Sequence, residues 1–328
     1  MGIPIDQEHK GTTMKQIIRR GWILGLLALS CQHTPVPHGE AGLLVHPAME
    51  QLLVETGLTY DGTISDLVRI TQANWIRKGG DAFSSKKTQK HYNKAKLLPL
   101  FSQLGLVKPR QWVDAAGKPI TGVTLEDCLL AGGFVFTMAD RLQHLHDTLD
   151  AQKLSCKRLV VLTGDRDFDP GHESIESFEH LRGLFPWFQF SDAELHAALP
   201  SLKNEYDLAQ FLLVRYQAAH PSRFPSVVYV NSPKKKNGKG KWTRPTTSDT
   251  LRDYLALHPK GEVLLATSQP FGDYMHILAQ RIFAKNPEQL TVHTIASQTY
   301  YQELIPMGVY LDYRARALYA LTQSEEKL

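Results

Sequence analysis

Past Gly117-Lys118-Pro119 the chain settles into a rhythm that few architectures satisfy. Five short apolar runs, Cys128–Ala131, Leu159–Leu162, Val227–Val230, Val263–Ala266 and Leu290–Ile295, alternate with stretches whose apolar residues recur at helical spacing. Those stretches carry Leu142, Leu145 and Leu149; Leu208, Phe211 and Leu212; Leu251, Tyr254 and Leu255; and Tyr274, Ile277, Leu278 and Ile282. A last one carries Leu311, Leu318 and Leu321. A strand that is apolar at nearly every position has no face to give to water. It must be covered on both sides, which is the condition of a parallel sheet between two helical layers. The pattern over residues 119–328 therefore predicts an α/β fold: a Rossmann-like, mostly parallel five-stranded sheet with helices on both faces.

Residues 46–118 read differently. Met49, Leu52 and Leu53 share one helical face; Ile64, Leu67, Ile70 and Trp75 suggest a second helix; Tyr92, Leu97, Leu98, Phe101 and Leu104 a third. Gly79-Gly80 divides the last two. This segment carries no catalytic motif and is expected to be a helical cap or scaffold. No internal repeat of fixed period is visible. At 42% apolar and 21% charged residues the chain can bury a sizeable core, which excludes collagen, coiled coil, pervasive disorder and a polytopic membrane protein.

The N-terminus has the layout of an address. Lys15, Arg19 and Arg20 precede an apolar run over Gly21–Leu29, then small Ser30 and Cys31. A basic segment, a short apolar segment and a small residue, in that order, make a secretory signal over residues 1–30. A spanning helix needs about 20 apolar residues, and this run is far shorter. Ser30-Cys31 resembles a bacterial lipobox, in which the cysteine is acylated and becomes the mature N-terminus, and Met14 is an alternative start that gives the signal its usual length. Acyl chains on Cys31, at about 0.8 kcal/mol per buried methylene, would anchor the protein to a membrane. Residues 31–45, with Pro35 and Pro37, read as a tether. Gln32 rather than aspartate after the cysteine points to outer-membrane sorting in a host that has an outer membrane. The other reading is a cytoplasmic protein with an apolar tail. The remaining cysteines, Cys128 and Cys156, are either a disulfide or two small buried hydrophobes.

The net charge is +4, but its distribution says more. Lys234, Lys235, Lys236, Lys239, Lys241 and Arg244 form a basic run with no acid between them, while the rest of the chain past residue 30 is net acidic. Nucleic-acid binders spread positive charge over a face or along a helix, so no nucleic-acid partner is expected.

Polar clusters follow four of the apolar runs: Gly132-Gly133, Thr163-Gly164-Asp165-Arg166, Asn231-Ser232 and Thr267-Ser268-Gln269. In open α/β sheets ligands sit outside the carboxyl ends of the strands, so these clusters mark one binding edge. Gly132-Gly133 before a helix is either a tight turn or a backbone cradle for an anion. Arg141, early in that helix, is a phosphate ligand or a surface charge. Thr246, Thr247 and Asp249 are a good helix start, with Thr247 or Ser248 as cap; Arg244 and the basic loop beside it suit either a phosphate or a membrane surface. Asp165, Asp167 and Asp169, with Glu173 and Glu176, copy the spacing of a calcium loop, but Pro170 stands where positive φ is needed, so an EF-hand is rejected. A looser metal contact by Asp165 or Asp167 remains open. His144 and His146, two apart on a helix, point to different faces, and neither HExxH nor GxSxG occurs. Glu205 is a general base or a dipole partner in a first turn.

Taken in order, Gly132-Gly133, Arg141, Thr163-Gly164-Asp165, Glu205, Thr246-Thr247 with Asp249-Thr250, and Thr267-Ser268 resemble the motifs of the YdcF/SanA/ElyC-like family, bacterial α/β proteins often associated with the cell envelope. The resemblance covers roughly residues 125–300. Asp165 replaces a family glycine, Thr250 an asparagine, and Pro270-Phe271 stand where the family has Tyr-His. It implies a Rossmann-like fold, a ligand pocket and a part in envelope polysaccharide or peptidoglycan homeostasis, and supplies no reaction.

The expectation is an exported, lipid-anchored α/β protein, facing the periplasm or exterior, that binds an anionic, phosphorylated or nucleotide-like ligand. Gly132, Gly133, Thr163, Gly164, Arg141, Arg166 and Arg244 would hold the anion, Glu205 or Asp165 would move a proton, and Thr267, Ser268 and Gln269 would orient the ligand. A hydrolase or transferase acting on an envelope precursor and a non-catalytic binding or assembly lipoprotein both fit. The sequence names no cofactor.

Overall fold

The computed structural model describes residues 46–77, 90–169, 173–286, 290–298 and 305–322. The signal segment, Met14, Cys31 and the tether lie outside the described residues, as does Pro170.

All five apolar runs are strands, longer than the runs themselves. They are β1 (Thr124–Ala131), β2 (Ser155–Gly164), β3 (Val227–Ser232), β6 (Gly261–Ser268) and β7 (Leu290–Ser297). They form one sheet in the order β3-β2-β1-β6-β7, and every neighbouring pair is parallel. Alternate side chains serve two layers, as the pleat requires. Leu264 and Ala266 of β6 join one core and Val263 and Leu265 the other; Cys128 and Leu130 of β1 face the first, Leu129 and Ala131 the second.

The first layer holds α4 (Val135–Ala151), α5 (Ile175–Leu184), α6 (Asp192–Ala198) and α7 (Glu205–Ala219), with Met138, Leu142, Phe178, Leu195, Leu208 and Leu212 buried against the sheet. The second holds α8 (Thr247–Leu255) and α9 (Gly272–Phe283), through Leu251, Tyr254, Met275 and Leu278. Helices α5 and α6 are additions to the sequence pattern. Their segment is short and aromatic rather than periodic, and Phe178, Phe188, Phe190 and Phe211 pack there edge-to-face and stacked. One signal was present: Ser191-Asp192-Ala193-Glu194 is a capping box, and both of its reciprocal bonds form. A two-stranded antiparallel hairpin, β4 (Lys235–Lys236) with β5 (Trp242–Thr243), stands where the sequence suggested a basic loop.

The three expected N-terminal helices are present as α1 (Pro47–Glu55), α2 (Ile64–Asn74) and α3 (Lys94–Gln103). They share a core with the last helix, α10 (Met307–Thr322): Met49, Leu52, Leu67 and Phe101 meet Val309, Tyr310, Leu311 and Leu318. The described residues thus form one packed unit across position 118. The chain between α3 and β1 also grips the sheet. Arg110 and Ala296 exchange backbone hydrogen bonds, and the Gln269 side-chain amide donates to the carbonyls of Gly105 and Lys108. Cys128 and Cys156 are buried and unbridged, the second of the two readings. Among the described residues no helix is long and apolar enough to cross a membrane.

Candidate site at the carboxyl edge of the sheet

In the order β3-β2-β1-β6-β7 the chain leaves β1 toward β2 and leaves β6 toward β7, in opposite directions. The strand order therefore switches over the carboxyl ends of β1 and β6, the usual ligand position of such sheets. Strand β1 delivers Gly132-Gly133 to it and β6 delivers Ser268.

Arg141 lies at that switch, between the ends of β1 and β6. It is 5% exposed. Its Nη1 donates to the carbonyls of Ala131 (2.9 Å) and Gly132, and its Nε and Nη2 donate to Ser268 Oγ at 3.2 and 3.0 Å. Burial pushes the guanidinium down to about 10, against the pull of Glu205 and Asp140, so it stays charged at neutral pH. Arg141 therefore ties β1 to β6 and sets a positive charge at their carboxyl ends.

Helix α4 begins directly above. Phe134 at its N-cap provides no side-chain cap, and no acidic residue lies in its first turn. Helix α8 shows the contrast: Thr246 is its N-cap, one residue before the cap expected from sequence, and forms a full capping box with Asp249. A long helix whose N-cap side chain makes no capping bond, entered through two glycines, brings the positive end of its dipole to this edge.

The β2 connection closes on the same place. Arg166 Nε donates to Glu205 Oε2 (3.0 Å), and its Nη2 donates to Glu173 Oε1 (2.9 Å) and to the Gly133 carbonyl (3.0 Å). Its guanidinium lies 4.5 Å from the centroid of the Phe134 ring. Glu205, the first residue of α7, also accepts from the Gly164 N–H at 3.3 Å. Burial raises the Glu205 carboxyl above its ordinary range, while Arg166, the Gly164 amide and Arg141 pull the other way. Arg141, Arg166, Glu173 and Glu205 thus meet as two cations and two anions, drawn from the starts or flanks of α4, β2, α5 and α7.

Asp140, the neighbour of Arg141, turns to the other side. It accepts from Ser297 Oγ at the end of β7 (2.6 Å), and burial pushes its carboxyl up to about 6. It lines an open cavity of about 340 Å³ with Gln143, His144, Asp147, Phe185 and Ser297. Burial lowers His144, disfavouring its protonated ring.

Other expected residues fall elsewhere. Thr163 is buried, its hydroxyl donating to the Val230 carbonyl. Thr267 Oγ1 is buried on the second face with no hydrogen-bond partner among the described residues. Gln269 serves the Gly105–Lys108 turn, and Arg244, Thr246, Thr247 and Asp249 stand at the start of α8 on the second layer, with Arg244 exposed. Lys234 lies 4.0 Å from Asp165 and is paired with Asp167. Among the described residues no three His, Cys, Asp or Glu gather as a metal site. Sequence reasoning gave no binding role to Glu173, Asp140 or Ser297. Glu173 was visible only as part of a calcium-like spacing, and Ser297 repeats the hydroxyl that ends β6.

No protein-family model matches this chain, and comparison with curated proteins found no match.

Proposed function

We propose that the carboxyl edge seats an anionic, phosphorylated or nucleotide-like ligand, in an exported protein anchored through Cys31 and related to the envelope-associated family named above. The observation that carries this reading is the start of α4: a helix whose N-cap side chain makes no capping bond, entered through Gly132-Gly133, at the strand-order switch, with Arg166 bonded to Gly133. Anions bind such ends because N–H groups and dipole converge there.

The same geometry gives Glu205 a task. An incoming anion competes with Glu205 and Glu173 for Arg166. Once Arg166 turns to the ligand, Glu205 keeps its burial and loses its main counter-charge, so its affinity for a proton rises. A base that strengthens only when the ligand is seated suits a hydrolase or transferase working on an envelope precursor. The non-catalytic alternative, a binding or assembly lipoprotein, is favoured by one observation: Arg141 bonds to Ala131, Gly132 and Ser268, which is a structural engagement.

The test is a thermal-shift screen of the protein against nucleotides and sugar phosphates, repeated with Arg166→Gln and Glu205→Gln. A ligand at 100 times its Kd stabilises by about 2.7 kcal/mol. The shift should vanish in Arg166→Gln and persist in Glu205→Gln, with turnover lost in the latter if the protein is an enzyme. A shift untouched by Arg166→Gln would remove the seat from α4. Palmitate labelling, compared with Cys31→Ala, tests the anchor separately.

A further inference from the structure

The β4–β5 hairpin is fastened at its root and bare at its tip. Lys234 pairs with Asp167 beyond β2, and Lys235 pairs with Asp249 in the first turn of α8 (2.7 Å). Pro245, just after the hairpin, packs so closely on Gly164 that a Cβ there would lie 2.5 Å from its Cγ. The turn closes on itself. Asn237 N–H donates to the Lys241 carbonyl (2.9 Å), Asn237 Oδ1 accepts from the Lys239 and Lys241 N–H groups (3.0 Å each), and Gly240 takes φ +73°.

Beyond that root project Lys236, Lys239 and Lys241, and Arg244 stands beside the root just before α8, all four exposed and with no carboxylate partner among the described residues. Trp242 lies among them, 60% exposed, with Lys236 Nζ 5.1 Å from its ring centroid. No other Trp, Tyr or Phe among the described residues is exposed. A hairpin that holds an indole and three cations in water, with a fourth at its root, leaves an apolar surface uncovered and concentrates like charge. One partner relieves both costs: a plane of anionic headgroups, where cations meet phosphate and an indole sits at the polar–apolar boundary. A polyanion wrapping the protein would meet the net acidic remainder of the chain, whereas a planar surface touched at one point does not.

We propose that the β4–β5 hairpin docks onto an anionic lipid surface, with Trp242 entering the headgroup layer and Lys236, Lys239, Lys241 and Arg244 contacting the phosphates. Because its root lies against the ends of β2 and the start of α8, docking turns the carboxyl edge of the sheet toward the membrane. The proposal is independent of the anion seat at α4, and its failure leaves that seat as it was.

The test uses the full chain carrying Cys31→Ala and Trp22→Phe, so that acylation and a signal-segment indole are absent from every sample. Partition is measured into phosphatidylcholine vesicles with and without phosphatidylglycerol, for this protein, Trp242→Phe, and Lys239→Gln with Lys241→Gln. Each removed charge should weaken partition into anionic vesicles about fivefold, the double variant about twenty-five-fold. Raising salt from about 0.1 to about 1 M, which shortens the Debye length from about 10 to about 3 Å, should do the same. Lipids brominated near the carbonyls should quench tryptophan emission in the parent and fail to do so in Trp242→Phe. Partition indifferent to phosphatidylglycerol or to the double variant overturns the proposal, as does an unquenched Trp242. Tighter binding to a short DNA duplex than to anionic vesicles overturns it in favour of a nucleic-acid surface.

Discussion

At Gly132 a methyl group has nowhere to go. A Cβ would lie 2.0 Å from Glu205 Oε1 and 2.5 Å from the Leu162 carbonyl, and the second of these is backbone in the middle of the sheet. Gly132→Ala should therefore destabilise by about 1–3 kcal/mol, read as a lowered urea midpoint at unchanged slope. Gly133→Ala meets Arg141 Nη1 at 3.2 Å, a milder approach than either contact at Gly132, and should cost less. Asp140 makes a pH prediction. Its carboxyl rises from 3.8 to about 6 on folding, so between those values the folded state holds more protons than the unfolded state. Stability from this group is present below about pH 4 and lost as pH rises toward 6. Asp140→Asn should flatten that part of the stability–pH curve, measured by urea melts across the window. At this scale the sequence was only partly legible. Arg141 and Glu205 stand out as a basic and an acidic residue near strand ends, but nothing local says that Arg166 will join Glu205 to Glu173, since those partners meet only when α5 and α7 pack on one layer.

Among the elements, α10 has the most demanding interior position. Asp312 is fully buried and accepts from the Arg77 backbone N–H (2.8 Å), the Arg77 guanidinium and Arg316 Nε (2.9 Å). Removing the carboxylate takes from two guanidinium groups the anion they share. Asp312→Ala should cost about 3–5 kcal/mol and Asp312→Asn less, compared by thermal melts. The strands and the α4, α7, α8 and α9 helices were legible because their apolar periods are strong and their lengths ordinary. Helices α5 and α6 were not, because aromatic packing with Trp187, Phe188 and Phe190 fixes that segment. The Lys235–Thr243 hairpin was hidden for another reason: its strands are two residues each, and the turn is closed by one asparagine side chain.

For the whole molecule, the expected division into a helical cap over 46–118 and an α/β body over 119–328 describes the order of elements. Their energetics are shared. Tyr310 stacks on Phe101 at 4.9 Å, and Gln72 Nε2 donates to the Ala315 carbonyl at 3.0 Å. A chain lacking residues 1–106 would expose Val309, Tyr310, Leu311 and Leu318 to water. It should bind hydrophobic dyes and lose its cooperative melt; a sharp transition at the parent's temperature would contradict this. The parallel sheet was readable from five runs buried on both faces, but their order was not. A continuous apolar strand pairs equally well on either side, and the choice is made by the helices that return over it.

The paired Arg110 and Ala296 amides, together with the Gln269 side chain on Gly105 and Lys108, make the connection before β1 a listening post for the far edge of the sheet. If the proposed ligand orders the ends of β6 and β7, deuterium uptake at Arg110 should slow with it through these bonds, although Arg110 itself lies on neither strand.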